Sequence, residues 1–539
     1  MRPALKVLFL MDSPEYLRFY DSAIEEMAAR GHTVAIAVNH QRARKPVGLG
    51  GLQAYADRVT VLGVVPERRG FWSGAGRAVR AVMDFVRFLH PDFAAAPALR
   101  ARIKRKVLPR AWHWLDRIRG LSATMVQRVE RFLQAAERAI PVYSPIVDCL
   151  REQAPDVLLI SPLVTAASPQ VEWVKAARVA GTRAAVCVAS WDNLTNKGLL
   201  RIEPDLVMVW NEAQRREAEA YHDIPAAKIA LTGAQLFDKW FERTVTRPRA
   251  DFCARVGFAD VAPFVLFTGS SSFISETNAE VAFVRRWIAA LRASGDPVLS
   301  TINVLVRPHP YNFHTWASEP VADLPGVRVY PRQGYNPIDA ENRNDFFDSL
   351  FHAAAVVGIN TSAMIEAAIV GRPVCSLLAE EFAGTQEGTI HFHHLLPENG
   401  GFLRIAATLD DHVRQLADCL RHPETTRAET ERFVGSFIRP HGLDHPATPI
   451  FVDVVERLAA SAPPAPRREA AWLLLLRPVV AAVAAITLLV DGARDPDTPA
   501  RARKQLGALR KQLASVLRRG RKQLAMFGKR WKRFRKEVL

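Results

Sequence analysis

Short apolar runs alternate with longer amphipathic stretches along most of the chain, and the alternation predicts strands and helices in turn. Residues 5–11 read as a buried strand, and Asp12-Ser13-Pro14 as its turn. Leu17, Tyr20, Ile24, Met27 and Ala28 then recur at helical spacing up to Arg30, where Gly31 ends the helix. Residues 33–38 form the next strand, so the chain opens with a βαβ unit. The same pattern resumes with strands at 156–160, 184–188, 206–210 and 228–231 and helices at 170–180 and 212–222. A second series starts near Phe252. Its strands are predicted at 264–268, 303–307, 327–330, 354–359 and 373–377, its helices at about 277–293, 343–351, 362–370 and 409–420, and a last helix at 447–460. The expected class is α/β, with two Rossmann-like doubly wound domains over 1–233 and 252–460 joined by a hinge at 234–249.

Two regions break the alternation. Residues 71–140 are helical in composition, with Arg and Lys interleaved among Trp72, Phe85, Phe88, Phe93, Trp112 and Trp114. A basic helical insert lying on a membrane surface is the expectation here, against aromatics that simply pack on the core. Nucleic acid is disfavoured, because no recognition fold accompanies the charge. The second region, 461–539, begins with a linker, SAPPAP at 461–466, followed by an apolar stretch at 472–490 that Arg477-Pro478 interrupts. The uninterrupted part, 479–490, is short for a transmembrane helix and suits an interfacial or re-entrant segment. Beyond it, Leu506, Leu509, Leu513, Val516, Leu524, Phe527, Trp531, Phe534 and Val538 recur mostly every three or four residues among basic ones, predicting an amphipathic helix docked on anionic lipid.

Charge sharpens this division. The 539 residues carry a net +17, yet 501–539 holds fifteen Lys/Arg against one Glu, and 77–131 thirteen against four acids. The two segments together exceed the whole, so the two-domain core is mildly acidic and the basic character belongs to the insert and the extension. Five cysteines at 149, 187, 253, 375 and 419 form no CxxC pair, which suits buried thiols in a reducing cytosol. The N-terminus runs straight into a strand and helix, so no signal peptide is read there.

Candidate chemistry collects at predicted strand ends. FVLFTGSSS at 264–272 ends in Gly269, Ser270 and Ser271, small enough to bring backbone amides against an anion. NVLVRPHP at 303–310 adds Arg307 and His309. VVGINTSAMIEAAIVGRP at 356–373 places Asn360, Thr361 and Ser362 at the start of a helix, where Thr361 or Ser362 can cap and the dipole favours an anion. Glu366, one turn in, suits a ribose. An ordinary strand–helix unit explains this last stretch equally well. On the first domain, Asp12, Glu15 and Asp192 are the candidates to bind or deprotonate an acceptor, although Asp12 also suits a helix cap. Asp192, Asn193 and Lys197 in the loop 190–198 can hold a sugar, although such a loop also forms for local reasons. His391, His393 and His394 lack further ligands at a metal-binding spacing and are read as hydrogen-bonding groups for phosphate or substrate, so no metal or other cofactor is expected.

RPHP at 307–310, GINTSAMIEAAIVGRPV at 358–374 and the opening unit that ends in ARGHTV at 29–34 resemble the GT-B superfamily of glycosyltransferases over roughly residues 5–460. The resemblance is nearest to bacterial envelope polysaccharide sugar transferases and the CDP-glycerol glycerophosphotransferase group. It implies two Rossmann-like domains facing a cleft, a donor nucleotide on the second domain, a nucleotide-sugar donor as partner, a polysaccharide or lipid-linked acceptor, and a final helix that crosses back to the first domain. Work at the cytoplasmic face of the inner membrane, peripherally attached, follows from it together with the basic extension. A UDP-sugar 2-epimerase-like enzyme and a non-catalytic envelope scaffold share the expected architecture and stay open.

Overall fold

The computed structural model describes residues 3–39, 49–62, 65–275, 277–310, 312–318, 320–331, 340–466 and 469–492. Its strands fall into two parallel sheets. The first is built from β1 (Lys6–Met11), β2 (Thr33–Val38), β3 (Val59–Val61), β4 (Val157–Ser161), β5 (Arg183–Cys187), β6 (Leu206–Val209) and β7 (Ile229–Leu231), in the order β3-β2-β1-β4-β5-β6-β7. The second is built from β8 (Phe264–Thr268), β9 (Asn303–Arg307), β10 (Val327–Val329), β11 (Ala355–Gly358), β12 (Val374–Leu377) and β13 (Arg404–Ala406), in the order β10-β9-β8-β11-β12-β13. The inner strands are apolar almost throughout because helices cover both faces of each sheet. Cys187 and Cys375 are buried in β5 and β12 as free thiols.

Each sheet winds outward from its first strand and then reverses, beside β1 and β4 in one domain and beside β8 and β11 in the other. Loops leaving those strands diverge and open a crevice at the carboxyl edge. The result is the GT-B-like pair of doubly wound domains. β3 and β13, edge strands of three residues each, lie outside the predicted strands.

The helices that shape the site are α1 (Asp21–Ala29), α2 (Phe71–Arg87), α3 (Pro97–Lys106), α4 (Ala123–Ala139), α5 (Val171–Ala180), α6 (Glu212–His222), α7 (Ala340–His352), α8 (Ala363–Ile369), α9 (Ala447–Ala460) and α10 (Leu473–Gly492). α9 does cross back to the first domain. Phe451, Val452 and Val455 join the core of β1 and β2, and Arg30 bonds Asp453 at 2.6 Å. At the hinge, buried Asp238 accepts from Arg439 (2.9 Å) and from the amides of Ala447 (3.1 Å) and Thr448 (2.6 Å). One carboxylate thus ties the outgoing and returning connections together.

The insert divides between the two expectations, part of it packing inward while Phe71 and Trp114 stay exposed. Phe85, Phe88 and Phe93 are buried in the insert's own core, and Trp112 donates to Thr487 at 3.0 Å. Of its thirteen Lys/Arg at 77–131, Arg80 and Arg87 are buried and eight are exposed. Arg80, Asp84 and Arg87 follow one another at helical spacing on one face of α2, and all three are buried. Arg80 pairs with Glu137 of α4 and Glu172 of α5, and Lys175 also reaches Glu137. Asp84 pairs with Arg201 and accepts from the amides of Ala167 (2.7 Å) and Leu199 (3.0 Å). Arg87 donates to the carbonyls of Leu194, Lys197 and Gly198. Alternation cannot distinguish these few buried charges from the exposed ones around them.

The extension is also not simply a linker and tail. After 461–466, α10 packs along α2 and α4. The amphipathic repeat predicted over 506–538 lies outside the described residues.

Removing one member of a fully buried ion pair strands the other. Asp84→Ala should therefore lower unfolding stability by about 3–5 kcal/mol in urea denaturation. A loss below about 1 kcal/mol would show that α2 is not locked to the domain by this pair.

Candidate functional site

The carboxyl edges of the two sheets face each other across a cavity of about 570 Å³, within the range of small-molecule sites. The loop after β1 contributes Glu15 and Arg18, the loop after β5 contributes Asp192, Asn193 and Lys197, and the hinge contributes Lys239, Trp240 and Arg243. From the second domain come Gly269, Ser271, Arg307, His309, Asn360, Thr361, Ser362 and Glu366. The 12–18 and 190–198 loops thus meet the 269–271, 307–310 and 360–366 segments, as the two crevices require.

Direct side-chain bonds also tie the two domains together. Trp191 Nε1 donates to Ser362 Oγ at 3.0 Å, Arg343 bonds Asp21 at 3.0 Å, and His394 bonds Glu217 of α6 at 2.6 Å.

Several predicted residues take other parts. Asp12 is buried, does not line the cavity, and its amide donates to Ser161 O at the end of β4. Ser270 is fully buried, and its amide donates to Glu280 at 2.6 Å, so it points away from the cavity. Gly269 lines the cavity, but its amide donates to Arg307 O at 2.8 Å. A Cβ there would come within 2.8 Å of the His309 nitrogen, so the glycine serves the close approach of two strand ends. The amides of Gly269 and Ser270 are thus already used by the protein. Ser362 starts α8 without a capping side-chain bond, because its hydroxyl receives Trp191. Asn360 and Asn193 are buried brackets. Asn360 donates to Thr385 O at 2.7 Å, and Asn193 accepts from the Ala189 amide at 3.1 Å.

Arg307 lies under α7, donating to Ser349 Oγ at 2.8 Å with its guanidinium 5.1 Å from the Phe346 ring, and burial lowers its pKa to about 10. His309 is lowered to about 4 by burial and by the nearby Arg18, so at neutral pH it acts as an uncharged imidazole. Of the three histidines in the 384–394 loop, only His391 reaches the cavity. Burial lowers it to about 4, and its ring meets Trp191 at 4.6 Å. Burial works against ionisation of Asp192, but Lys197 and His391 overcome it and hold the carboxyl well below its usual range. Lys197 is raised in turn, burial being outweighed by Asp192 at 4.0 Å.

Glu366 behaves oppositely. Burial raises it to about 8, although Arg18, Arg243 and Arg307 pull it down. It is a partly exposed carboxyl on α8 whose proton is held near neutral pH until a ligand or cation approaches.

Sequence reading passed over the most telling cations. Arg102 comes from α3 of the insert, stacked 4.0 Å from the Phe273 ring, and Arg243 comes from the hinge, 5.6 Å from Trp240. Neither makes a hydrogen bond or an ion pair among the described residues. Lys239 and Arg343, by contrast, share Asp21. No motif marks Arg102 or Arg243, since only the fold brings insert and hinge to the cleft. Among the described residues no group of three or more His, Cys, Asp or Glu is placed to hold a metal ion.

No family model matches the sequence, and no curated protein does. Solved structures of similar chain path include UDP-GlcNAc 2-epimerase from Neisseria meningitidis bound to UDP-GlcNAc (12% identity, 84% of this chain and 100% of that chain, TM-score 0.48). A glycosyltransferase from Rickettsia africae ESF-5 is another (8% identity, 85% and 100%, TM-score 0.47). UDP-GlcNAc 2-epimerase from Methanocaldococcus jannaschii in complex with UDP-GlcNAc and UDP is a third (11% identity, 84% and 100%, TM-score 0.44).

The raised Glu366 carboxyl sets a sign for pH dependence. A carboxyl held above its ordinary value of 4.5 contributes stability at low pH that is lost as pH rises through about 8. Melting temperatures of the unliganded protein should therefore favour Glu366→Gln increasingly between about pH 4.5 and 8. A difference that stays flat across that range would contradict a carboxyl held protonated in the folded protein.

Proposed function

We propose that the protein is a GT-B-type transferase that moves a sugar from a nucleotide-activated donor to an envelope polysaccharide or lipid-linked acceptor, working peripherally at the cytoplasmic face of the inner membrane. The observation that carries this reading is a cavity at both switch points in which Arg243 stands near the Glu366 carboxyl and Arg102 near Asp192, neither arginine forming an ion pair among the described residues. A cavity lined by more cations than carboxylates favours a diphosphate, and guanidinium groups match its oxygens.

In this reading Arg243 and Arg18 take the diphosphate, with Arg307 behind them, and Glu366 receives the ribose hydroxyls. His309, neutral at pH 7, hydrogen-bonds the leaving phosphate as negative charge grows there. Fixed donors aimed at that charge supply the largest share of rate enhancement, so the positive charge is assigned to side chains rather than to a metal. On the acceptor side, Asp192 is held too far down to take a proton efficiently. It orients the acceptor together with Lys197 and Asn193, and Glu15, exposed at the cavity rim, is the base.

A thermal-shift screen against UDP-, CDP-, GDP- and CMP-sugars and CDP-glycerol tests the reading. A donor at about 100 times its dissociation constant should add about 2.7 kcal/mol of stability. A hit with CDP-glycerol alone would redirect the reading to glycerophosphate transfer. Epimerised donor formed without acceptor would redirect it to an epimerase, and no shift with any donor would leave a scaffold. With the hit in hand, Glu366→Ala should weaken its binding by about 1–3 kcal/mol in calorimetry. Unchanged affinity would remove Glu366 from the donor site.

A further inference from the structure

We propose that the outer face of α10 is a docking surface for an anionic lipid bilayer, on which the protein lies with α10 in the membrane plane. The inner face of this helix is sealed. Leu473, Val480 and Thr487 are buried against the insert, Trp112 Nε1 donates to Thr487 Oγ1 at 3.0 Å, and Arg477 Nε donates to Ala139 O at 2.9 Å. A Cβ on Gly74 would lie 3.1 Å from Leu488, so α2 and α10 touch closely.

The outer face is bare. Leu475, Val479, Val483 and Ile486 follow at spacings of four, four and three, which places them in one stripe, and Leu475 is 77% exposed. Phe71 and Trp114, also exposed, flank the stripe through neighbours that touch α10. Phe71 lies 5.2 Å from Trp72, which packs with Leu473, and Trp114 lies 6.2 Å from Trp112. A continuous apolar face with aromatic margins suits the boundary between headgroups and acyl chains.

Residues 473–491 are long and apolar enough to cross a bilayer. Crossing, however, would strip the bonds to Trp112 and Ala139 or carry the exposed Arg77, Arg128 and Arg131 of α2 and α4 into hydrocarbon. In-plane binding keeps both. The occupant is identified by charge, because the chain beyond α10 holds fifteen Lys/Arg against one Glu in 501–539. A second copy would bring two such segments together, whereas anionic lipid attracts each basic residue by about 1 kcal/mol.

Docking here would leave α2 between bilayer and cleft, since its other face holds the loop of Asp192 and Lys197. That arrangement suits a lipid-linked acceptor, and this last step alone rests on the transferase reading.

The test uses the full chain with vesicles of phosphatidylcholine, with and without phosphatidylglycerol. Val479→Asp/Ile486→Asp changes two exposed positions and should leave the melting temperature unchanged. Its affinity for the anionic vesicles should fall at least about tenfold, and alkaline carbonate should release the wild-type protein. Unchanged vesicle binding by the double variant, retention through carbonate, or a lipid-free dimer that the double variant abolishes would each overturn the proposal. Donor-induced thermal shifts on the same samples report the nucleotide site separately.

Discussion

Three buried charges on one face of α2 fix how the rest of the first domain can be arranged. A charge taken from water costs several kcal/mol unless its partners replace the lost hydration. Arg80 therefore requires Glu137 and Glu172, Asp84 requires Arg201 and two amides, and Arg87 requires three carbonyls of the 194–198 turn. Such pairs add little net stability over an apolar core, but they tolerate few alternative geometries. At Gly198 a Cβ would sit 2.6 Å from both the Asp84 carboxylate and the Arg201 guanidinium, so the loop passes directly against the pair. Asp192 and Lys197 face the second domain because the segment carrying them is clamped from behind.

The cleft uses charge differently. Asp21 gathers Lys239 and Arg343 and so fastens hinge and second domain to the start of α1. Arg102 and Arg243 form no ion pair among the described residues, standing only within the field of Asp192 and Glu366, and Glu366 among the arginines stays protonated near neutral pH. Paired charges hold the walls, while these two arginines are held by no direct ion pair among the described residues. A ligand with a diphosphate and a ribose would meet both needs at once, neutralising the arginines and giving the carboxyl hydroxyls to bond.

Much of this frame was legible in the chain. Apolar runs of five or six residues between amphipathic helices gave both sheets, and the strand ends at 264–272, 303–310 and 356–366 converge because a doubly wound order leaves them no alternative. The amide assignments failed at Gly269 and Ser270 because small residues at a strand end serve equally to let β9 approach or to let Glu280 bond inward. The insert was read only in part for a similar reason. Arg, Phe and Trp in alternation describe a lipid-facing helix, and they equally describe one whose arginines are buried in ion pairs. Arg102 and Arg243 were illegible, since they reach the cleft only through contacts between segments distant in sequence.

Amide hydrogen exchange on an Arg87→Ala variant tests the clamp most directly. Asn196, Gly198 and Leu199 have amides bonded to Asp192 O, Val164 O and Asp84 within the clamped segment. Their exchange should accelerate at least about tenfold while the amides of β8 and β11 keep their wild-type rates. Unchanged exchange at those three amides, or equal acceleration across both domains, would contradict the view that α2 holds the acceptor-side loop in place.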